Sequence, residues 1–441
     1  MNMGHSEQHK SIRIERYGLE SVPIEERTTS WYRYAFIQFT MSANTGNFLI
    51  PALAVMNGGL PFLTAVFYTS IGALLAFLFV SLLTLPGSKY GIPAQYAIRS
   101  ILGGKGARLV SSPIRSITSL YWFSVQTIGG TYVLQQFLSR TTGNEIPFLF
   151  LSVPLAILMV TLATIGFQAF KQATTYFLPV LLLGELVMLS LYFTTEEPAT
   201  SLLTSNPMLQ REHIKVGLFY ASLAFVQYVS GVSASADVTR YAVTPKQGAY
   251  GLFVGNALGF LMTAVLGSGA ATLFNDVNPY VATSEQAAFL WLIGLITLTA
   301  LLSMLSININ NAYTGGYSLL NTFSSLSRVK SALIFGSLGV VLSSFPTIVT
   351  QAEYYIRLLG GLIVPLSAVI VVDFLVVKRA SLSEGDFHVM TEGDTLFLSP
   401  FVTIGIGTLV YFSLPYEQSS GFIAFIVTAM SYYIATKLSS N

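Results

Sequence analysis

The chain has 441 residues, 53% of them hydrophobic and only 10% charged, with 22 Lys and Arg against 20 Asp and Glu and a net charge of +2. A soluble domain carries about a quarter charged residues, so a water-soluble fold is excluded. There is no Cys, which removes disulfides, thiolate catalysis and cysteine metal sites, and no GxxxxGK[ST] phosphate loop that an ATP-driven pump would need.

The first thirty residues are polar and lack the apolar core of a cleavable signal, so residues 1–30 are expected to form a tail. Residues 31–441 are then expected to form a single transmembrane domain. Their apolar residues fall into blocks long enough to cross about 30 Å of hydrocarbon at 1.5 Å per residue. The blocks predict an all-α integral membrane protein of about twelve spans, at 33–56, 59–85, 110–138, 147–166, 173–194, 215–236, 248–275, 286–308, 331–349, 354–377, 397–414 and 420–437. With an even number of spans and an inside amino terminus, 18 of the 22 Lys and Arg fall on inside segments. The positive-inside rule therefore predicts a multi-pass protein of the cell membrane with both termini cytoplasmic.

Span one contains SANTGN (Ser42 to Asn47) and span six VSGVSAS (Val229 to Ser235), with Gly46 and Gly231 most able to unwind. Transporters built from two inverted repeats open each repeat with such a discontinuous helix. Small residues in a membrane helix also serve simply for close packing. Asn44 and Asn47 favour the first use, because an amide in an apolar span is costly unless it meets protein, water or solute. The five-plus-five division places repeat one at about 31–195 and repeat two at about 215–378. The polar loop SLSEGDFHVMTEGD then separates this core from two added helices at about 397–437.

In span three, Trp122 and Gln126 lie four residues apart and so share one helical face. An aromatic face and an amide suit a planar heterocycle, one covering its ring and the other pairing with its edge. The alternative for Trp122 is a place among the lipid headgroups. Span five carries Glu185 near its centre, either a proton carrier or a protonated acid bonding helix to helix. Gln227 and Tyr228 precede the break in span six, and the run SININNAYTGGYSLLN places Asn308, Asn310 and Asn311 on span eight. Either solute or neighbouring helices can satisfy these asparagines. All four histidines fall in the tail or loops, leaving no histidine relay within the spans.

The motifs ERYGLESVPIEER, YGIPAQYAIRSILGGKGARL, YWFSVQ, SADVTRYAVTPKQ, NAYTGGYSLLN and VVDFLVVKR, in this order, resemble the nucleobase-cation symporters, and the purine-cytosine permease branch most of all. The resemblance covers nearly the whole chain and implies a LeuT-type five-plus-five fold with solute between spans one, three, six and eight. It implies that Trp122 stacks on the solute, that Gln126 bonds its edge, that Tyr228 forms the opposing wall and that Asn311 adds an edge contact. Gln227, Asn310, Asn47 and Asn44 complete the expected solute site. Asp237 and Arg240 match a family motif and are read as a helix-end anchor outside that site.

Sodium-coupled members of the family place two adjacent hydroxyl residues on span eight, which with span-one carbonyls hold the ion. Here the stretch reads Leu305, Ser306, Ile307, Asn308, with a single hydroxyl. The candidates for a sodium site are Ala43, Gly46, Ser303 and Ser306. Glu185 is the candidate for a proton, which is the expected coupling ion. The reading is a secondary symporter importing cytosine, a purine or a related heterocycle, or alternatively allantoin, a hydantoin or a vitamin such as thiamine. It is not an enzyme, needs no cofactor beyond co-transported H+ or Na+, and has the lipid bilayer and a small solute as partners, with no nucleic acid and no obligate protein partner. A channel is disfavoured, because rings of carbonyl or charge would serve it better than an aromatic and amide pocket.

Overall fold

A computed structural model describes residues 17–163, 167–194, 211–415 and 418–439, with the backbone alone for 167–170, 172–173, 211–212 and 439. The start of the expected tail with His5 and His9, and the segment 195–210, lie outside the described residues. Among the described residues the regular structure is helical, with no strand. Each predicted span is occupied by helix. Seven helices are long and apolar enough to cross a membrane by length and composition, and Thr45–Met56, Phe148–Ala163 and Leu398–Ser413 are apolar but shorter.

Span one divides into α1 (Trp31–Thr40) and α2 (Thr45–Met56). The division has a local cause. Asn44 adopts extended backbone and its side chain accepts from the Asn47 amide at 2.9 Å, capping α2 from inside the membrane. Such a cap offers the chain a non-helical partner where the helix would otherwise continue. After α3 (Phe62–Leu82), α4 (Leu85–Tyr90) and α5 (Ala94–Leu102) come α6 (Ser112–Thr142), α7 (Phe148–Ala163) and α8 (Phe167–Leu191).

Span six divides in the same way. The helix α9 (Arg211–Val229) tightens into a 3-10 turn at Ser230–Ser233 and restarts as α10 (Ser235–Thr239). The Ser230 and Ser233 hydroxyls take the carbonyls of Gln227 and Ser230, at 3.4 and 2.8 Å, that the unwinding frees. The remaining helices are α11 (Pro245–Phe274), α12 (Pro279–Gln286), α13 (Leu290–Thr322), α14 (Arg328–Leu342), α15 (Ala352–Val371), α16 (Glu384–Thr391), α17 (Leu398–Ser413) and α18 (Ser420–Ser439).

The packing has the symmetry of an inverted repeat. The halves of span one lie along α11, and the corresponding contact of the other repeat is α9 along α3. The long helices α6 and α13, each the third of its repeat, pack on one another, as do the second helices α3 and α11. The added pair α17 and α18 packs together and covers α15. Gly72 fixes the closest approach, since a Cβ there would lie 1.9 Å from the Ala221 carbonyl. Only glycine admits that spacing between α3 and α9.

The largest departure from the sequence reading is span eight, predicted to stop at residue 308 but helical through Thr322. Its polar run stays helical because the backbone bonds within the helix while the side chains turn to partners in α6. Asn308 donates to the Phe123 carbonyl and to Thr127 Oγ1, both at 3.0 Å.

Candidate functional site

The two breaks face one another across a cavity of about 140 Å³ bounded by α1, α2, α3, α6, α9, α10, α11 and α13. Trp122 and Gln126 line it from α6, Asn310 and Asn311 from α13, Asn47 from α2, and Gln227 and Tyr228 from α9. Seven of the eight residues expected to touch solute therefore converge on one space. The eighth, Asn44, does not line it. Asn44 is fully buried and engaged, its Nδ2 donating to the Met41 and Ser42 carbonyls at 2.6 and 3.3 Å and its Oδ1 accepting from the Asn47 amide and Gln126.

The Tyr228 ring packs against Phe77 and Phe260, with centroids 4.8 and 5.2 Å away, which holds it as a wall. Trp122 stands edge-on to Tyr121 at 4.9 Å, well within its helix. The Gln126 carbonyl accepts from Thr45 Oγ1 at 3.2 Å and the Gly46 amide at 3.3 Å, and its Nε2 donates to Asn44 at 2.5 Å. Gln126 thus ties α6 to the break in span one. Gln227 does the same from α9, donating to the Gly46 carbonyl and Asn47 Oδ1 at 3.2 and 3.1 Å, while its own Oε1 is buried without a partner.

Beyond this layer lies a second, larger cavity of about 880 Å³, lined among others by Thr45, Gly129, Tyr132, Gln136, Asp276 and Glu353. Gln126 lines the smaller space and its partner Thr45 the larger, so their hydrogen bond stands between the two.

Two of the four sodium candidates meet. Ser303 Oγ donates to the Ala43 carbonyl, which also accepts from Tyr280 Oη at 2.6 Å. The other two turn elsewhere, the Gly46 carbonyl to Gln227 and the Ser306 hydroxyl to Leu302 of its own helix at 2.8 Å. Glu185 is 1% exposed, beside Gly184 where α8 packs on Thr299 of α13, and its Oε2 is buried without a partner.

Asp237 and Arg240 lie outside the cavity lining, as read. Asp237 accepts from the Ala94 amide at 2.7 Å, and Arg240 donates to the Gly91 and Glu20 carbonyls at 3.0 and 2.5 Å.

A family model described as permease for cytosine/purines, uracil, thiamine, allantoin matches residues 21–393. The chain belongs to this family. It is a transporter, an integral membrane protein of several spans. This permease is 20% identical to a putative allantoin permease of Escherichia coli K12, over 98% of this chain and 96% of the relative. It is also 20% identical to a hydantoin permease of Microbacterium maritypicum, over 82% and 76% of the two chains. Among solved structures it superposes on Mhp1, a nucleobase-cation-symport-1 family transporter in a closed conformation with bromovinylhydantoin bound, with a TM-score of 0.78 at 16% identity, over 97% and 96% of the two chains. That likeness gives the permease its LeuT-type fold.

The sequence reading missed several cavity residues of this permease, Gln38, Asn256, Thr314 and Arg115 among them. Arg115 falls within the span predicted at 110–138, where its charge counts only toward the topology; it lies in the first turn of α6 and is 7% exposed. Its position seven residues before Trp122, two turns down the same face, was the available signal.

Proposed function

We propose that this permease is a symporter that imports a flat heterocycle of the nucleobase, allantoin or hydantoin class, by alternating access with both termini cytoplasmic. The observation that carries the reading is the convergence of Trp122 with the amides of Gln126, Gln227, Asn310 and Asn311 on one cavity at the helix breaks. A planar ring stacked on Trp122 would leave its edge to amides, each holding a donor and an acceptor. The unpartnered Gln227 Oε1 suits a ring N–H. The relatives that carry allantoin and hydantoin favour those solutes within the class. The two cavities on either side of the Gln126 layer suit a solute released alternately to two faces.

The proposed coupling ion is the proton, with Glu185 as carrier. Sodium is held by several oxygens at once, carbonyls of the unwound helix among them. Here the Ala43 carbonyl is taken by two hydroxyl donors and the Gly46 carbonyl by Gln227. An ionised carboxylate without a partner at membrane depth is expensive, so Glu185 is suited to gain and lose a proton as the helices around it move.

The test is thermal unfolding of the purified protein against allantoin, hydantoin, cytosine, xanthine, adenine and thiamine, because a ligand that binds only the folded state raises the midpoint. A rise with at least one flat heterocycle, lost in Trp122→Ala, is expected. No rise with any of them would overturn the reading.

A further inference from the structure

Among the residues lining the smaller cavity, Arg115 is the single ionisable side chain apart from Tyr228, and none is a carboxylate. Its Nη1 donates to the Ser230 carbonyl at 3.4 Å and its Nη2 to Thr314 Oγ1 at 3.0 Å, so it spans from α6 to the break in span six and to α13. Two of the five N–H donors of a guanidinium are used in this way. The Nε is buried without a partner. Asp237 lies near enough to act on Arg115 by charge, but it does not line the cavity and its Oδ1 is engaged by the Ala94 amide.

We infer that Arg115 is a specificity-determining residue, selecting heterocycles whose edge is acidic and refusing permanently cationic ones. The inference rests on the solute occupying this cavity, as proposed above. A fixed positive charge in a space shielded from water attracts a negative or proton-donating edge and repels a cation more strongly than it would in water. The groups that answer a guanidinium are carbonyl oxygens flanking an ionisable nitrogen, as in an imide, where parallel N–H donors meet adjacent acceptors. Hydantoins and oxidised purines carry that edge. Cytosine sets two acceptors side by side at N3 and O2 but has no imide proton to lose there, so it meets the guanidinium only as a neutral group, and thiamine, with its thiazolium charge, meets a like charge with no carboxylate lining the cavity to balance it.

The experiment measures binding to the purified full-length protein of two imides, hydantoin and xanthine, and three counter-probes, cytosine, adenine and thiamine. The wild type is expected to bind the better imide at least tenfold more tightly than any counter-probe. Arg115→Gln should lose at least tenfold for the imide, and Arg115→Lys, which keeps the charge but not the paired N–H donors, should lose clearly less than Arg115→Gln. Preference of the wild type for cytosine, adenine or thiamine would overturn the inference and leave the heterocycle reading standing. So would an Arg115→Lys loss as large as that of Arg115→Gln. Binding of none of the five, nor of allantoin, by the wild type would end both. The wild-type ranking decides the matter even if Arg115→Gln fails to fold.

Discussion

Side chains that share the cavity differ in what else they hold. Trp122 makes its ring contact with Tyr121, packs part of its surface on the apolar core and lines the cavity. Trp122→Ala should therefore weaken solute binding by about 1 to 3 kcal/mol, the worth of stacking a base on an aromatic side chain, and lower the unliganded melting temperature by the packing it removes. Gln126 is a different case, because three groups of span one depend on it. Gln126→Ala should lower both binding and the unliganded melting temperature, since buried polar groups are left unpaired. Asn311→Ala, which takes one donor from the buried Asn308 Oδ1, should lower binding and lower the unliganded melting temperature less than Gln126→Ala does. A melting scan with and without solute separates the two effects. The amides also mark where sequence reasoning stops. The facing of Trp122 and Gln126 follows from helical spacing, but nothing in SANTGN distinguishes an asparagine that meets solute from one that caps a helix, and Asn44 proved to be the cap. Arg115 escaped because a cation at the start of a span is weighed only for orientation, by a rule about topology that says nothing of the cavity.

Helices set how far each side chain can move. The approach of α3 to α9 leaves no room at Gly72, where the obstacle is backbone and cannot turn aside. Gly72→Val should sharply reduce the yield of folded protein, measured as the monodisperse fraction in size-exclusion chromatography. At Gly46 an added Cβ would meet the Gln126 amide at 2.5 Å, so a substitution there displaces that side chain from its hydrogen bonds to span one instead of forcing two backbones apart. The helix α16 is held by Ser383 and Asp386 in a capping box and by Lys378, which donates to Asp386. Burial raises the Asp386 carboxyl, but hydrogen bonds from Lys378 and Ser383 and the Lys378 charge outweigh it and hold the group below its ordinary 3.8. A carboxyl held low in the folded state contributes stability at every pH above the unfolded value and loses it as pH falls through the folded one. Backbone exchange protection of α16 should thus be equal at pH 5 and pH 7 in the wild type and reduced at pH 7 in Asp386→Asn. The two helix breaks were legible because small and amide residues interrupt apolar runs, whereas the end of span eight was not. Hydropathy sees the asparagines of α13 as a boundary, although their partners lie on α6.

At the scale of the molecule, the fold places one layer of hydrogen bonds between two cavities and sets the unwound helices against each other across the smaller one. The repeat pattern was readable from the matching interruptions alone. The tail was read only as polar, yet its described part is built into the fold, with Val22 fully buried and the Tyr17 carbonyl accepting from Tyr317 Oη at 2.5 Å. No hydropathy pattern announces such a contact, since it rests on single side chains. The central claim is that this architecture couples heterocycle uptake to the proton through Glu185. Its most direct measurement is uptake of labelled solute, chosen by the binding screen, into proteoliposomes with either an acid exterior without sodium or an inward sodium gradient at equal pH. The account predicts saturable accumulation under the acid exterior, abolished in Glu185→Gln, and none under sodium alone. Accumulation driven by sodium alone and unchanged in Glu185→Gln would contradict it and move the ion to the carbonyls and hydroxyls around Ala43 and Ser303.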